Sequence, residues 1–107
     1  MTLTQVTVTA SYVTPGAAAP TGTVDFTPFP TFRNTGSNII VSGTITKTLT
    51  AGGFSVALYA TDDTDTVPDT GVYYQVIERI TGVDERAYLI ELPNSPTSVQ
   101  LADLPAV

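Results

Sequence analysis

A chain of 107 residues is the size of a single domain and can bury roughly two-thirds of the surface its unfolded form exposes, so it folds without a staple. It has no cysteine, histidine or tryptophan, which removes disulfides, thiolate or imidazole metal sites, and every Ser–His–Asp or Cys–His nucleophile. Four basic side chains against ten carboxylates leave a net charge of −6, which repels phosphate backbones and anionic lipid heads, so neither nucleic acid nor a membrane is an expected partner.

Threonine fills 20 positions, and this β-branched residue suits the solvent face of a pleated sheet. Eight prolines and eight glycines punctuate the chain at short intervals, and no sustained 3.6-residue apolar spacing runs between them. The opening Met1-Thr2-Leu3-Thr4-Gln5 lacks the basic and apolar regions of a secretory signal, and no apolar run approaches the ~20 residues of a membrane helix. The expectation is a soluble, strand-rich protein, made where it is used or exported as part of something larger.

Over residues 4–12, Val6, Val8, Ala10 and Tyr12 alternate with Gln5, Thr7, Thr9 and Ser11, the pattern of a half-buried strand ended by Pro15-Gly16. Residues 23–27 point Val24 and Phe26 inward and Asp25 outward. The stretch 29–36 is too proline-rich for a ladder and reads as a loop. A short apolar run at 39–41 and an alternating one at 45–49 flank Gly43, which marks a bulge or bend. After the Ala51-Gly52-Gly53 turn, Phe54, Val56, Leu58 and Ala60 share a face, so 44–60 is expected to be a hairpin. A second hairpin joins 72–80, where Tyr74, Val76 and Ile80 lie together, to a strand carrying Tyr88, Ile90 and Leu92. A last segment, 98–104, carries Val99 and Leu101.

Seven to eight short strands with no helical pattern predict one all-β domain over residues 1–107, an antiparallel β-sandwich of the immunoglobulin-like or prealbumin-like kind.

Catalysis is not expected. Carboxylate pairs remain, but Asp25 and Glu91 fall on outward faces and the other acids lie mostly in loops, so nothing positions an acid or base. No cofactor is expected either. The acidic loop 62–69, with Asp63-x-Asp65 and Asp69, has oxygen ligands that suit Ca²⁺, yet it lacks the glycine and glutamate of an EF-hand. It is better read as a turn whose Asp and Thr side chains bond nearby backbone N–H groups. Glu78 and Arg86 are expected to form a cross-strand ion pair, worth about 0.5 kcal/mol if exposed.

Phe29 follows Pro28 and Phe32 comes two residues after Pro30, and the two are either partner anchors or lids over an open end of the sandwich. The segment Leu101-Ala102-Asp103-Leu104-Pro105-Ala106-Val107 is apolar for a chain end. Leu101, Leu104 and Val107 gain by burial on their own sandwich or on a neighbour, so with Phe29 and Phe32 they are the candidate partner interface.

Gly22-Thr23-Val24-Asp25-Phe26-Thr27-Pro28, Gly52-Gly53-Phe54-Ser55-Val56-Ala57-Leu58 running into Ala60-Thr61-Asp62-Asp63, Tyr74-Gln75-Val76-Ile77-Glu78-Arg79-Ile80, Arg86-Ala87-Tyr88-Leu89-Ile90-Glu91-Leu92-Pro93 and Leu101-Ala102-Asp103-Leu104 together cover most of the chain. They resemble a family of small β-sandwich domains in bacteriophage virion proteins, especially those of phages infecting actinobacteria. Such domains often begin a longer tail or fibre protein. Here the sequence stops three residues after Leu104, and Val72 and Tyr73 stand near a position that looks like tryptophan in relatives.

The resemblance therefore implies a capsid decoration (cement) protein, bound to the outside of the assembled shell through the major capsid protein or another virion protein. It would form a homo-oligomer, a trimer at a symmetry axis, in a virion assembled in the host cytoplasm. Residues 2–9 or 98–107 are the segments available to add a strand to a neighbour. The alternative is a tail-associated carbohydrate- or receptor-binding module, for which Tyr59 and Tyr73 are the outward-facing tyrosines.

Overall fold

The computed structural model describes residues 3–16 and 18–107. Alternation builds its longest ladders. Strand β1 (Gln5–Ser11) buries Val6 and Val8 and pairs antiparallel with β6 (Gly53–Tyr59) from Gln5↔Tyr59 to Ser11↔Gly53. On its other edge β1 pairs in parallel with β10 (Ser98–Gln100). A second sheet forms around β2 (Gly22–Phe29) and β8 (Tyr73–Ile80), which run antiparallel from Gly22↔Ile80 to Phe29↔Tyr73. Strand β5 (Ile45–Thr48) flanks β2, and β9 (Arg86–Ile90) flanks β8.

The orders are thus β10-β1-β6 and β5-β2-β8-β9. Val6, Val8, Val56 and Leu58 from one sheet and Val24, Phe26, Tyr74, Val76 and Ile80 from the other form a single buried cluster, the core of the sandwich. Phe26 meets Phe54 edge-on at 5.7 Å between ring centres, and the Tyr74 hydroxyl donates to the Tyr59 carbonyl at 2.6 Å. The sandwich expected from the sequence is present. Its connectivity differs from the immunoglobulin order, in which the first two strands share a sheet; here β1 and β2 lie in different sheets.

Ten strands are described, more than the seven or eight expected, because a small third sheet, β4-β3-β7, adds to the sandwich. It comprises β3 (Phe32–Asn34), β4 (Ile39–Val41) and β7 (Thr66–Val67). The reading of 29–36 as a loop is corrected here: the prolines precede β3 and do not interrupt it, and Phe32 and Asn34 alternate inward around exposed Arg33. Asn34 secures the turn that follows, accepting from the Ser37 N–H at 2.9 Å and donating to the Thr64 carbonyl at 2.9 Å. Strand β7 falls in the acidic stretch that the sequence presents as a turn.

The hairpin expected over 44–60 is also corrected. Thr50 and Gly53 exchange both N–H···O bonds, at 2.8 and 3.0 Å, around Ala51 and Gly52, whose φ values are 52° and 80°. The turn forms, but the ladder stops there. β5 joins β2 and β6 joins β1, so the chain crosses from one sheet to the other at this point. Phe54, Val56 and Leu58 gain more by facing the second sheet across the core than by pairing with β5, an edge strand with mostly exposed side chains. The second expected hairpin, β8–β9, is present in the expected register.

Both terminal segments proposed for strand exchange are used within the chain. β1 is paired on both edges, and the residues after β10 form a 3₁₀ turn, Leu101–Asp103, then bridge Ala106 to Ile90 of β9. Thr2 lies outside the described residues.

Candidate functional site

Two surfaces stand out. The first is a groove of about 540 Å³ along the open side of the sandwich, between the end of β1 and the edge of β9, walled by Leu101, Leu104 and Ala106. On it lies a polar cluster centred on Glu78. Strand β8 alternates Tyr74, Val76, Glu78 and Ile80 toward the interior, so the carboxylate is only 6% exposed. Its Oε1 accepts from Nε of Arg86 at 2.9 Å, and Nη2 of the same guanidinium stands 2.8 Å away in an ion pair. Its Oε2 accepts from the hydroxyls of Tyr12 at 2.5 Å and Tyr88 at 3.0 Å.

Three hydrogen bonds and a second guanidinium nitrogen at ion-pair distance thus engage both carboxylate oxygens. The expected Glu78–Arg86 cross-strand pair therefore exists, with the acid buried and Arg86 lying over the Tyr88 ring, 5.0 Å from its centre. Burial raises the Tyr12 and Tyr88 hydroxyls above the ordinary phenol range, and the Glu78 charge and hydrogen bonds add to this. The fork to Glu78 holds Arg86 above its usual value. Held in this way, Glu78 orients the Tyr12 and Tyr88 hydroxyls and the Arg86 guanidinium around it.

The second surface is the outer face of the small sheet. Arg33 pairs with Ile40 on one side and with Val67 on the other, so the three side chains stand in a row on one face. Ile40 is 71% exposed. The opposite face carries buried Phe32, Asn34 and Thr66.

The candidate interface residues divide. Phe29 is 52% exposed and Val107 64% exposed, whereas Phe32 and Leu101 sit in the core and Leu104 packs against it half-buried. The tail is held by the Val107 N–H donating to the Leu89 carbonyl at 2.8 Å. Tyr59 and Tyr73 are both half-buried, and neither lines the groove.

In the acidic loop, buried Asp63 reaches far along the chain and not to its neighbours. It accepts from the Thr4 N–H at 2.6 Å, the Thr4 hydroxyl at 2.9 Å and the Asn94 amide at 2.9 Å. Asp62 accepts from the Asn94 N–H at 2.8 Å. These two carboxylates thus brace the N-terminal segment and the 93–97 loop against the start of the acidic stretch. Among the described residues no three carboxylates come together as a metal-binding group.

The sequence reading missed Tyr12 and Tyr88 as partners of Glu78. The signal was available: Glu78 is in phase with Tyr74, Val76 and Ile80, and a carboxylate on a core-facing position must find donors.

The fold and these two surfaces define an all-β sandwich with one polar-floored groove and one exposed apolar row. No protein-family model, curated protein or solved structure matches the chain.

Proposed function

We propose that the chain is a structural protein of a bacteriophage virion, a capsid decoration (cement) protein that attaches to the outside of the assembled shell. Its partner in this reading is the major capsid protein or another virion protein, its arrangement a trimer at a symmetry axis, and its role one of binding without catalysis. The phage assignment rests on the sequence resemblance. The docking part rests on one observation, the row Ile40–Arg33–Val67 on a sheet added to the side of an otherwise self-contained acidic sandwich. Exposed aliphatic side chains around an arginine are the composition of an interface core, and Arg33 is one of only four cations on a chain of net charge −6.

The test is co-sedimentation of the purified chain with particles of actinobacterial phages, with a cryo-electron-microscopy map of any particle that retains it. The expected result is ordered density on the shell, and at least a tenfold loss of attachment, about 1.4 kcal/mol, in an Ile40→Asp, Val67→Asp variant that melts like the parent. Absence of affinity for every particle overturns the reading, as does attachment that the variant leaves unchanged. The alternative, a tail-associated carbohydrate- or receptor-binding module, is favoured by the groove beside Tyr12 and Tyr88.

A further inference from the structure

We propose that the groove between β1 and β9 is a binding site for a neutral saccharide, held by the Tyr12, Tyr88 and Arg86 side chains over a floor fixed by Glu78. Its volume, about 540 Å³, lies within the range of small-ligand sites, which combine apolar walls with a few convergent polar groups.

The charge of the ligand follows from elimination. A cation has no free carboxylate to meet, because Oε1 of Glu78 is held by the Arg86 guanidinium and Oε2 accepts from Tyr12 and Tyr88. An anion has only Arg86, which Glu78 already neutralises, within a chain of net charge −6. A purely apolar ligand would strip water from the two tyrosine hydroxyls and the guanidinium without replacing its hydrogen bonds. A neutral hydrogen-bonding ligand remains.

The groove supplies what such a ligand needs. Each tyrosine hydroxyl spends its proton on Glu78 and keeps oxygen lone pairs to accept from a ligand hydroxyl. Arg86 donates Nε to Glu78 and pairs Nη2 with it, yet its side chain is 70% exposed and the guanidinium retains further N–H donors. Leu101, Leu104 and Ala106 offer an apolar wall for the C–H face of a sugar ring. A peptide strand is the other neutral amphipathic ligand, and it needs a run of free backbone partners. Only Arg86, Ala87 and Tyr88 of the β9 edge line the groove, and the edge beyond them has already given Ile90 to Ala106 and the Leu89 carbonyl to Val107, so the run is too short for a strand and recognition here falls to side chains.

The inference deepens the alternative reading above and does not rest on the decoration assignment. The test titrates the labelled full-length chain, by NMR, with maltotriose, cellotriose, mannotriose, galactotriose and the N-acetylglucosamine trimer up to ~10 mM, with trigalacturonate as the charged control. At least one neutral trimer is expected to give saturable shifts at Ser11, Ala87, Ala102 and Ala106. Ala102→Trp, at an exposed position on the groove wall, is expected to weaken it at least about tenfold, and Arg86→Lys, which keeps a cation for Glu78, to weaken it severalfold. The proposal is overturned if no neutral trimer binds, if only trigalacturonate binds, or if the shifts map elsewhere or survive Ala102→Trp. Attachment of the Ala102→Trp chain to particles reads the virion assignment separately.

Discussion

The Tyr12 hydroxyl, just past the end of β1, donates a 2.5 Å hydrogen bond to Oε2 of Glu78 on β8 and so ties one sheet to the other. A hydrogen bond to a charged, buried acceptor contributes about 1.5–3 kcal/mol. Tyr12→Phe should therefore lower stability by that amount in urea unfolding. Arg86→Ala should cost more than the ~0.5 kcal/mol of an exposed pair, because it leaves a buried carboxylate with tyrosine donors alone. A double-mutant cycle between the two sites should show non-additivity, and additive costs would mean that the cluster does not act as a unit.

Stability should be lost at both ends of the pH scale, for opposite reasons. Tyr12 and Tyr88, through burial and Glu78, and Tyr74, through burial, have folded values raised above that of a free phenol. Groups raised in this way contribute stability that is full below pH ~10 and lost as pH climbs through their folded values. Phenolate absorbance from three of the five tyrosines should appear only with unfolding. At the acid end, hydrogen bonds from Arg79 and then Thr46 hold Asp25 below the usual carboxylate range. Its contribution is present above pH ~3.9 and lost as pH falls below it. Asp25→Asn should flatten the acid limb and leave the alkaline limb unchanged.

Asp63 tests the acidic loop. Its oxygens take the Thr4 N–H, the Thr4 hydroxyl and the Asn94 amide. Asp63→Ala should cost ~1–3 kcal/mol by leaving those donors unpaired. A chelator should leave the melting temperature where it is, and a fall restored by Ca²⁺ alone would show that the carboxylates serve a metal instead.

Gly22 opens β2 with φ 151°, where a Cβ would stand 2.4 Å from the Arg79 carbonyl oxygen and 2.9 Å from the Ile80 Cα. Both are backbone atoms of the paired strand, so neither can rotate away. Gly22→Ala should destabilise by about 1–3 kcal/mol or more. Gly82→Ala, with no atom near its Cβ but a φ of 84°, isolates the cost of backbone conformation alone.

Period-two alternation made the long strands legible, since Val6 and Val8, Val24 and Phe26, and Tyr74 and Val76 all face the core as their spacing requires. What failed was partner choice. The turn residues around Ala51 and Gly52 dictate a reversal, but whether two strands then pair or part depends on what each can bury elsewhere, which no local window contains. The small sheet was hidden for a related reason: β3 and β7 are three and two residues long, too short for periodicity to register. At the candidate groove the ion pair was readable from strand register. That Glu78 needs donors was readable from its core-facing phase, and Tyr88 lies on the neighbouring strand of its own sheet, but Tyr12 as a donor was not, because it reaches Glu78 only once the two sheets close.

The parallel pairing of β1 with β10 sets a schedule for synthesis. The Thr9 hydroxyl and the Val99 carbonyl, 3.4 Å apart in the fold, are separated by 90 positions in the chain. At the pace of a ribosome the β10 segment follows β1 by roughly 5–20 s. Until then the first sheet can hold only β1 and β6, with one edge of β1 open and the core beneath it uncovered. In the last part of that interval, once β8 is made and before β10 follows, a growing chain is a half-closed sandwich, the stage at which a chaperone or a neighbouring nascent copy would meet it.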